Sequence, residues 1–258
     1  MRFDVITLFP ELFEPFFKSG ITRRAFESRQ VDVRLWNPRD FAQGNYRRVD
    51  DRPFGGGPGM VMMAEPLWHC LQAIRADRGE PVQTQAPLVL FSPIGERLDH
   101  AMASQWSSSA GAVLLCGRYE GVDQRFIDAC VDRQISLGDF VLSGGEIAAL
   151  ALLDSVARLM PGVLGDEGSH QQDSFHPALS GLLDCPHHTR PEVWHGPEGA
   201  VSVPEVLLGG HHERIQRYRR EQSLSLSQAL RPELVVQARA AGQLTPADEN
   251  FLKSLKKL

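Results

Sequence analysis

The sequence predicts an α/β domain built on a mostly parallel sheet, followed by a smaller, mainly helical unit. Three observations predict it. Strand-like apolar runs alternate with helical patterns from Phe3 to Met160. Three of those runs stop at glycine-bearing loops, the place where parallel α/β sheets bind ligands. Beyond Pro161-Gly162 the pattern becomes helical.

Taken in order, Phe3 to Phe9 is apolar and β-branched, a buried strand that should end at Pro10. Val31, Val33 and Leu35 alternate with Asp32, Arg34 and Trp36, giving a second strand before Pro38. Asn45 to Gly59 is too rich in Gly, Arg and Asp for a core element. Leu67, Leu71 and Ile74 have helical spacing within Glu65 to Arg78, and Pro66 suits a first turn. Leu88 to Phe91 is an apolar run stopped by Ser92-Pro93-Ile94-Gly95. Ala112 to Cys116 is stopped by Gly117-Arg118-Tyr119-Glu120-Gly121. Phe140 to Leu142 reads as a third strand, stopped by Ser143-Gly144-Gly145 and followed by a helix from Glu146 to Met160. Gly165 to Gln172 is a polar linker. Helices follow at Glu213 to Leu224, Pro232 to Ala241 and Pro246 to Leu258, the last with Thr245 as N-cap.

Composition sets the class. Over 258 residues, 42% hydrophobic and 23% charged residues are ordinary for a soluble chain with a sizeable core. No apolar run approaches the ~18 residues that span a bilayer. Met1-Arg2-Phe3-Asp4 lacks a signal-peptide plan, so a cytoplasmic location without a membrane partner is expected. Cys70, Cys116, Cys130 and Cys185 form no C-x-x-C pair, and the histidine pairs 187–188 and 211–212 lack zinc-site spacing, so no metal site is expected. The net charge of −5 is unevenly spread: residues 205–258 carry +3 and the remainder −8. A basic tail on an acidic body suits a protein that touches phosphates at one end.

Gly55-Gly56-Gly57-Pro58-Gly59 looks like a phosphate cradle, but no G-x-x-x-x-G-K-[ST] and no G-x-G-x-x-G after a strand is present, which excludes both nucleotide fingerprints. A glycine cluster alone is more often a turn-rich loop. Three such loops with only Arg97 and Arg118 nearby would suit an uncharged adenosine better than a triphosphate.

Arg52 to Met60 (RPFGGGPGM), Cys116 to Asp123 (CGRYEGVD) and Gly138 to Glu146 (GDFVLSGGE) resemble signature segments of bacterial tRNA (guanine-N1)-methyltransferases. So do Asp154 to Arg158, Gly162 to Gly165, Gly181 to His187, Val206 to Leu208 and Gln222 to Leu224, in fixed order along essentially the whole chain. The resemblance implies a SPOUT-type parallel sheet with a deep trefoil knot over 1–164, a linker over 165–175 and a helical tRNA-binding domain over 176–258. It implies a homodimer and S-adenosylmethionine as methyl donor, with tRNA as substrate. The donor-site residues it implies are Leu90, Phe91, Ser92 and Pro93; Gly117, Tyr119 and Glu120; and Leu137, Gly138, Asp139, Phe140, Val141, Leu142, Gly144 and Gly145. Family members are described as needing Mg2+; Glu120 could help hold it, although no dedicated ligand cluster is visible.

Guanine N1 carries a proton, so its methylation at position 37, next to the anticodon, needs a general base and compensation of charge developing on O6. The resemblance places the base on Asp173 and its orienting cation on Arg158. Read without it, Asp173 is equally a helix cap or a solvated acid, and Arg158 an i,i+4 partner of Asp154. Arg214, Arg217 and Arg220, every third residue of one helix, form a candidate phosphate stripe or simply a solvated face. Gly59, Asp184 and His187 join them as implied tRNA contacts. The chain departs from the family pattern at Ala148, where proline is common, and around His176-Pro177-Ala178, where it runs a few residues longer. The alternative reading is another SPOUT RNA methyltransferase, acting on a ribose 2′-OH or on rRNA.

Overall fold

A computed structural model describes residues 1–81, 84–165 and 169–255. The chain divides into two compact units, Met1–Gly165 and Asp166–Leu258.

The first unit opens with β1 (Arg2–Ile6), in which Phe3 to Ile6 are fully buried. Two short helices, α1 (Glu14–Lys18) and α2 (Arg23–Glu27), bring Phe16, Phe17 and Phe26 together with ring centroids 5.0–5.8 Å apart. They lead to β2 (Asp32–Trp36). The two-residue strands β3 (Asp50–Asp51) and β4 (Val61–Met62) pair antiparallel and close the glycine loop between them. Then come α3 (Ala64–Arg78), β5 (Leu88–Arg97), α4 (His100–Ser107), β6 (Gly111–Leu115), α5 (Gln124–Cys130), β7 (Arg133–Ser136) and α6 (Glu146–Ala157).

Among the described residues, five strands form one sheet in the order β2-β1-β6-β5-β7, with every neighbouring pair parallel. Alternate side chains of a strand face opposite sides. Accordingly Phe3, Val5, Ala112 and Leu114 pack with Leu152 and Val156 of α6. Ile6, Val113 and Leu115 pack on the other side with Leu71 and Ile74 of α3. Helices covering both faces explain why these strands read as unbroken apolar runs rather than alternating ones. Because the strands are parallel, their carboxyl ends share one edge of the sheet.

Two strand expectations are corrected. Phe140 to Leu142 is a loop, with Phe140 54% and Val141 84% exposed. The strand lies upstream in β7, whose Arg-Gln-Ile-Ser sequence carries one large apolar residue and so gives almost no periodic signal. The run from Leu88 does not end at Phe91 either. β5 leaves the ladder at Ser92 and rejoins β7 at Glu96, so that both Phe91 and Glu96 are registered on Ile135. The first loop is therefore a bulge within a strand.

The second unit begins with 3-10 turns at Ser169–Gln172 and Pro177–Leu179. A hairpin of β8 (Val193–Gly196) and β9 (Gly199–Ser202) follows, unforeseen in a segment expected to be helical. The helices are α7 (Glu205–Leu208), α8 (His212–Leu230), α9 (Pro232–Ala240) and α10 (Pro246–Leu255). Their core is Leu182, Leu224, Leu234, Val235, Ala238 and Leu252. Thr245 does cap α10: its Oγ1 accepts from the Asp248 amide and Asp248 Oδ2 accepts from the Thr245 amide. Of the expected linker, residues 166–168 lie outside the described residues, as do the last three of the expected terminal helix. Among the described residues no helix is long and apolar enough to cross a membrane.

Candidate active site

A cavity of about 450 Å³ opens at the carboxyl edge of the sheet. It is walled by Leu90 to Ile94 of the β5 bulge, Gly117 to Val122 after β6, and Ser136 to Gly138 with Phe140 to Gly145 after β7. Its volume is within the range of small-molecule sites. Fourteen of the fifteen expected donor-site residues line it. Asp139 does not: its side chain is 93% exposed and pairs with Arg97 at 3.3 Å.

Three loops that meet at one cavity must be held together. Gly145 donates its amide to the Gly117 carbonyl at 3.0 Å, and Arg118 forms an antiparallel bridge with Gly144. Gly145 approaches so closely that a Cβ there would lie 2.7 Å from Cys116 Cα and 3.2 Å from the Gly117 nitrogen. Beneath them lies an ionic clamp. Arg118 donates through Nε to Glu146 Oε1 at 3.1 Å and lies 2.9 Å from Oε2 through Nη2, while its Nη1 reaches the Ser143 carbonyl at 3.2 Å. Thr7, just past β1, donates to the same Glu146 Oε1 at 2.9 Å, and the guanidinium rests 4.3 Å from the Phe9 ring centroid. Glu146 is 1% exposed. One carboxylate thus ties the ends of β1, β6 and the loop before α6. An acid in the first turn of a helix ordinarily reads as a dipole partner, so no sequence signal separated Glu146 from that role.

Arg118 is the one Lys or Arg among the residues lining the cavity, and its charge is engaged by Glu146. Among the described residues the cavity therefore offers no free cation for a phosphate. Cys116 lies behind it, its thiol pushed well up by burial and further by Glu146, which keeps it protonated and unreactive.

The glycine loop between β3 and β4 is stitched to the cavity rim. The Glu120 amide donates to the Met60 carbonyl and the Met62 amide to the Gly121 carbonyl, both at 2.9 Å. Gly59 (φ +75°) lies against the Glu120 side chain, where any Cβ would fall within 2.4–2.8 Å of it. Sequence spacing gave no sign of this contact, which brings an expected tRNA residue beside an expected donor residue.

Arg158 follows α6 directly, and its amide closes the helix onto the Asp154 carbonyl at 3.0 Å. In the second unit Asp173 is half-buried within a run of turns. Its amide donates to the His170 carbonyl at 3.3 Å and its carbonyl accepts from the His176 amide at 3.2 Å. Ser174 Oγ accepts from the Asp184 amide at 2.9 Å, and Asp184 Oδ2 lies 2.8 Å from His187 Nε2. Asp184 and His187 are thereby tied to Ser174, the residue that follows Asp173. The stripe is less uniform than expected. Arg214 is exposed, Arg217 is exposed beside Glu221, and Arg220 is partly buried and bonded internally. Among the described residues one group could hold a metal ion, Asp184, Cys185 and His187. Its sulfur and nitrogen donors are mismatched to the all-oxygen shell that Mg2+ prefers, and burial pushes the Cys185 thiol up.

Comparison with known proteins gives one consistent result. Residues 1–237 match the family model described as tRNA (Guanine-1)-methyltransferase TrmD. A protein of Polaromonas sp. named tRNA (guanine-N(1)-)-methyltransferase is 69% identical over 255 residues, covering 99% of this chain and 97% of its own. A protein of the same name from Paracidovorax citrulli is 68% identical over the full length of both chains. Another, from Leptothrix cholodnii, is 61% identical over 99% of this chain and all of its own.

Proposed function

The chain belongs to the tRNA (Guanine-1)-methyltransferase family, and from that premise we propose that it methylates N1 of guanosine 37 of tRNA, beside the anticodon, with S-adenosylmethionine as donor. The observation that carries the reading is the cavity where three loops converge at the carboxyl edge of the sheet.

The residues present fit the donor. A slot walled by Leu90, Phe91, Ile135 and Leu137 accepts a flat, uncharged purine and sugar, and the close-packed glycines let main-chain groups approach it. The engaged charge of Arg118 disfavours a polyphosphate and leaves Glu120 as the acidic group on the rim, suited to a cationic ligand. The bound donor supplies a methyl group activated by a positively charged sulfur.

Asp173 would take up the N1 proton, leaving an electron pair on N1 for the new N–C bond; the bond broken would be the donor's methyl–sulfur bond, whose pair stays with the departing sulfur as a neutral thioether. Arg158 orients Asp173 and offsets the negative charge that grows on O6. Gly59 and Glu120 border the approach of the base, while Asp184 and His187 contact its edge or its 5′ neighbour. Arg214 and Arg217 hold phosphates. The chain acts in the cytoplasm as a homodimer with a trefoil-knotted sheet, the helical unit of one subunit completing the site of the other. Glu120 is the first acid to examine for any Mg2+ requirement.

Two measurements test this. With donor and an unmodified transcript, the purified protein should yield 1-methylguanosine, and replacing guanosine 37 by adenosine should abolish transfer. A 2′-O-methylated product would favour the ribose-methylating alternative. Gly145→Ala should weaken donor binding at least about tenfold by calorimetry, about 1.4 kcal/mol, because its Cβ meets backbone that cannot yield without parting two cavity loops. Unchanged affinity would remove those loops from donor binding.

A further inference from the structure

Ten residues, 174–183, lie between Asp173 and Asp184, and the fold holds the turn between them by an arginine. Arg220, on α8, donates through Nη1 to the Leu179 carbonyl and through Nη2 to Ser180 Oγ, both at 3.1 Å. Its Nε and Nη2 also bond the two oxygens of Asp248 at 3.2 and 3.0 Å. Burial alone would raise the Asp248 carboxyl, but the Arg220 bonds and the Thr245 amide outweigh it and hold it low, so the pair is ionised at neutral pH. Ser180 in turn donates to the Gln243 carbonyl. The turn thus connects to α8, to α10 and to the link before α10.

From that turn the connection to Asp173 is short. The Leu179 and Gly181 amides both donate to the His176 carbonyl, and the Ala178 amide to His176 Nδ1. The His176 amide bonds the Asp173 carbonyl. The Phe175 amide bonds the Leu182 carbonyl, which folds the segment back on itself. Ser180 (φ +61°) and Phe175 (φ +71°) both sit in the left-handed region, which such residues rarely adopt unless surrounding bonds hold them there.

We propose that Arg220 is a positioning residue for the base: by clamping Leu179 and Ser180 against α8 and α10 it fixes the turn that presents Asp173, and it does not contact tRNA phosphates. This rests on the reading of Asp173 as base. Misplacing a reacting group by about 1 Å can cost about a hundredfold in rate, so loosening this clamp should act on turnover.

The test sets Arg220→Gln beside Arg214→Ala on the full-length protein. Arg220→Gln should lower kcat about tenfold or more, with the Kd for tRNA and its salt dependence within about twofold of the parent; Arg220→Lys, which keeps one donor and the charge, should fall between. Arg214→Ala should instead weaken tRNA binding and flatten its salt dependence. If Arg220→Gln behaves like Arg214→Ala, or leaves kcat unchanged, the proposal is wrong. Should Arg220→Gln not fold, Ser180→Ala removes the bonds of the Ser180 hydroxyl to Arg220 and to the Gln243 carbonyl while keeping the Asp248 pair, and a kcat loss without a change in tRNA Kd is again required. Hydrogen exchange of the 173–182 amides in the free protein separates this idea from the reaction itself. Exchange should quicken about tenfold in Arg220→Gln, and unaltered exchange overturns the clamp even if the parent proves inactive on tRNA.

Discussion

Asp173→Asn should bind donor and tRNA as the parent does and lose turnover by about 10²–10⁴-fold, the range that a positioned general base contributes. The substitution is nearly isosteric. Asp173 is fixed by its backbone, through the His170 carbonyl and the His176 amide, so the asparagine variant keeps its place in the turn. What it loses is the capacity to accept a proton from N1. Single-turnover rates with saturating donor are the measurement, and the deficit should shrink toward alkaline pH, where guanine sheds its own N1 proton. A variant that turns over at the parental rate would remove Asp173 from the chemistry, and one that fails to bind tRNA would make it a recognition residue.

The second large effect is on stability. Arg118→Ala should destabilise the first unit by about 3–5 kcal/mol, the loss expected when one partner of a buried ion pair is removed and the other stays charged without it. Glu146 is almost fully enclosed and, among the described residues, would retain only the Thr7 hydroxyl. Glu146→Ala should cost less than Arg118→Ala, because the guanidinium left behind is partly solvated and keeps the Ser143 carbonyl and the Phe9 ring. The double variant should cost less than the sum of the singles. Denaturant unfolding measures all three, and single effects below about 1 kcal/mol would class the pair with ordinary surface bridges.

Much of the first unit was legible because buried parallel strands announce themselves as apolar runs and glycine loops mark their ends. The limit shows at β7, where one apolar residue in four was too little signal while the exposed Phe140-Val141-Leu142 gave too much. The clamp at Glu146 was hidden for another reason: Thr7 lies 139 residues away in sequence, and no local pattern records such a meeting. The even spacing of Arg214, Arg217 and Arg220 does not place all three on one face. Steps of three residues on an α-helix drift about 60° each, so the first and last arginines point about 120° apart. One meets solvent and the other the unit's interior. The turn around His176 gave no sequence sign of the bonds from α8 that anchor it.

The all-parallel sheet also dictates an order of assembly. β1 is flanked by β2 and β6, with Arg2 registered on Asp32 on one side and on Gly111 on the other. During synthesis the first pairing can close early, whereas the second must wait until over a hundred residues have left the ribosome. Half of the earliest strand therefore spends much of translation as an unsatisfied edge, the kind of surface that recruits neighbouring chains. This strand order predicts slow refolding, with losses to aggregation that rise with protein concentration.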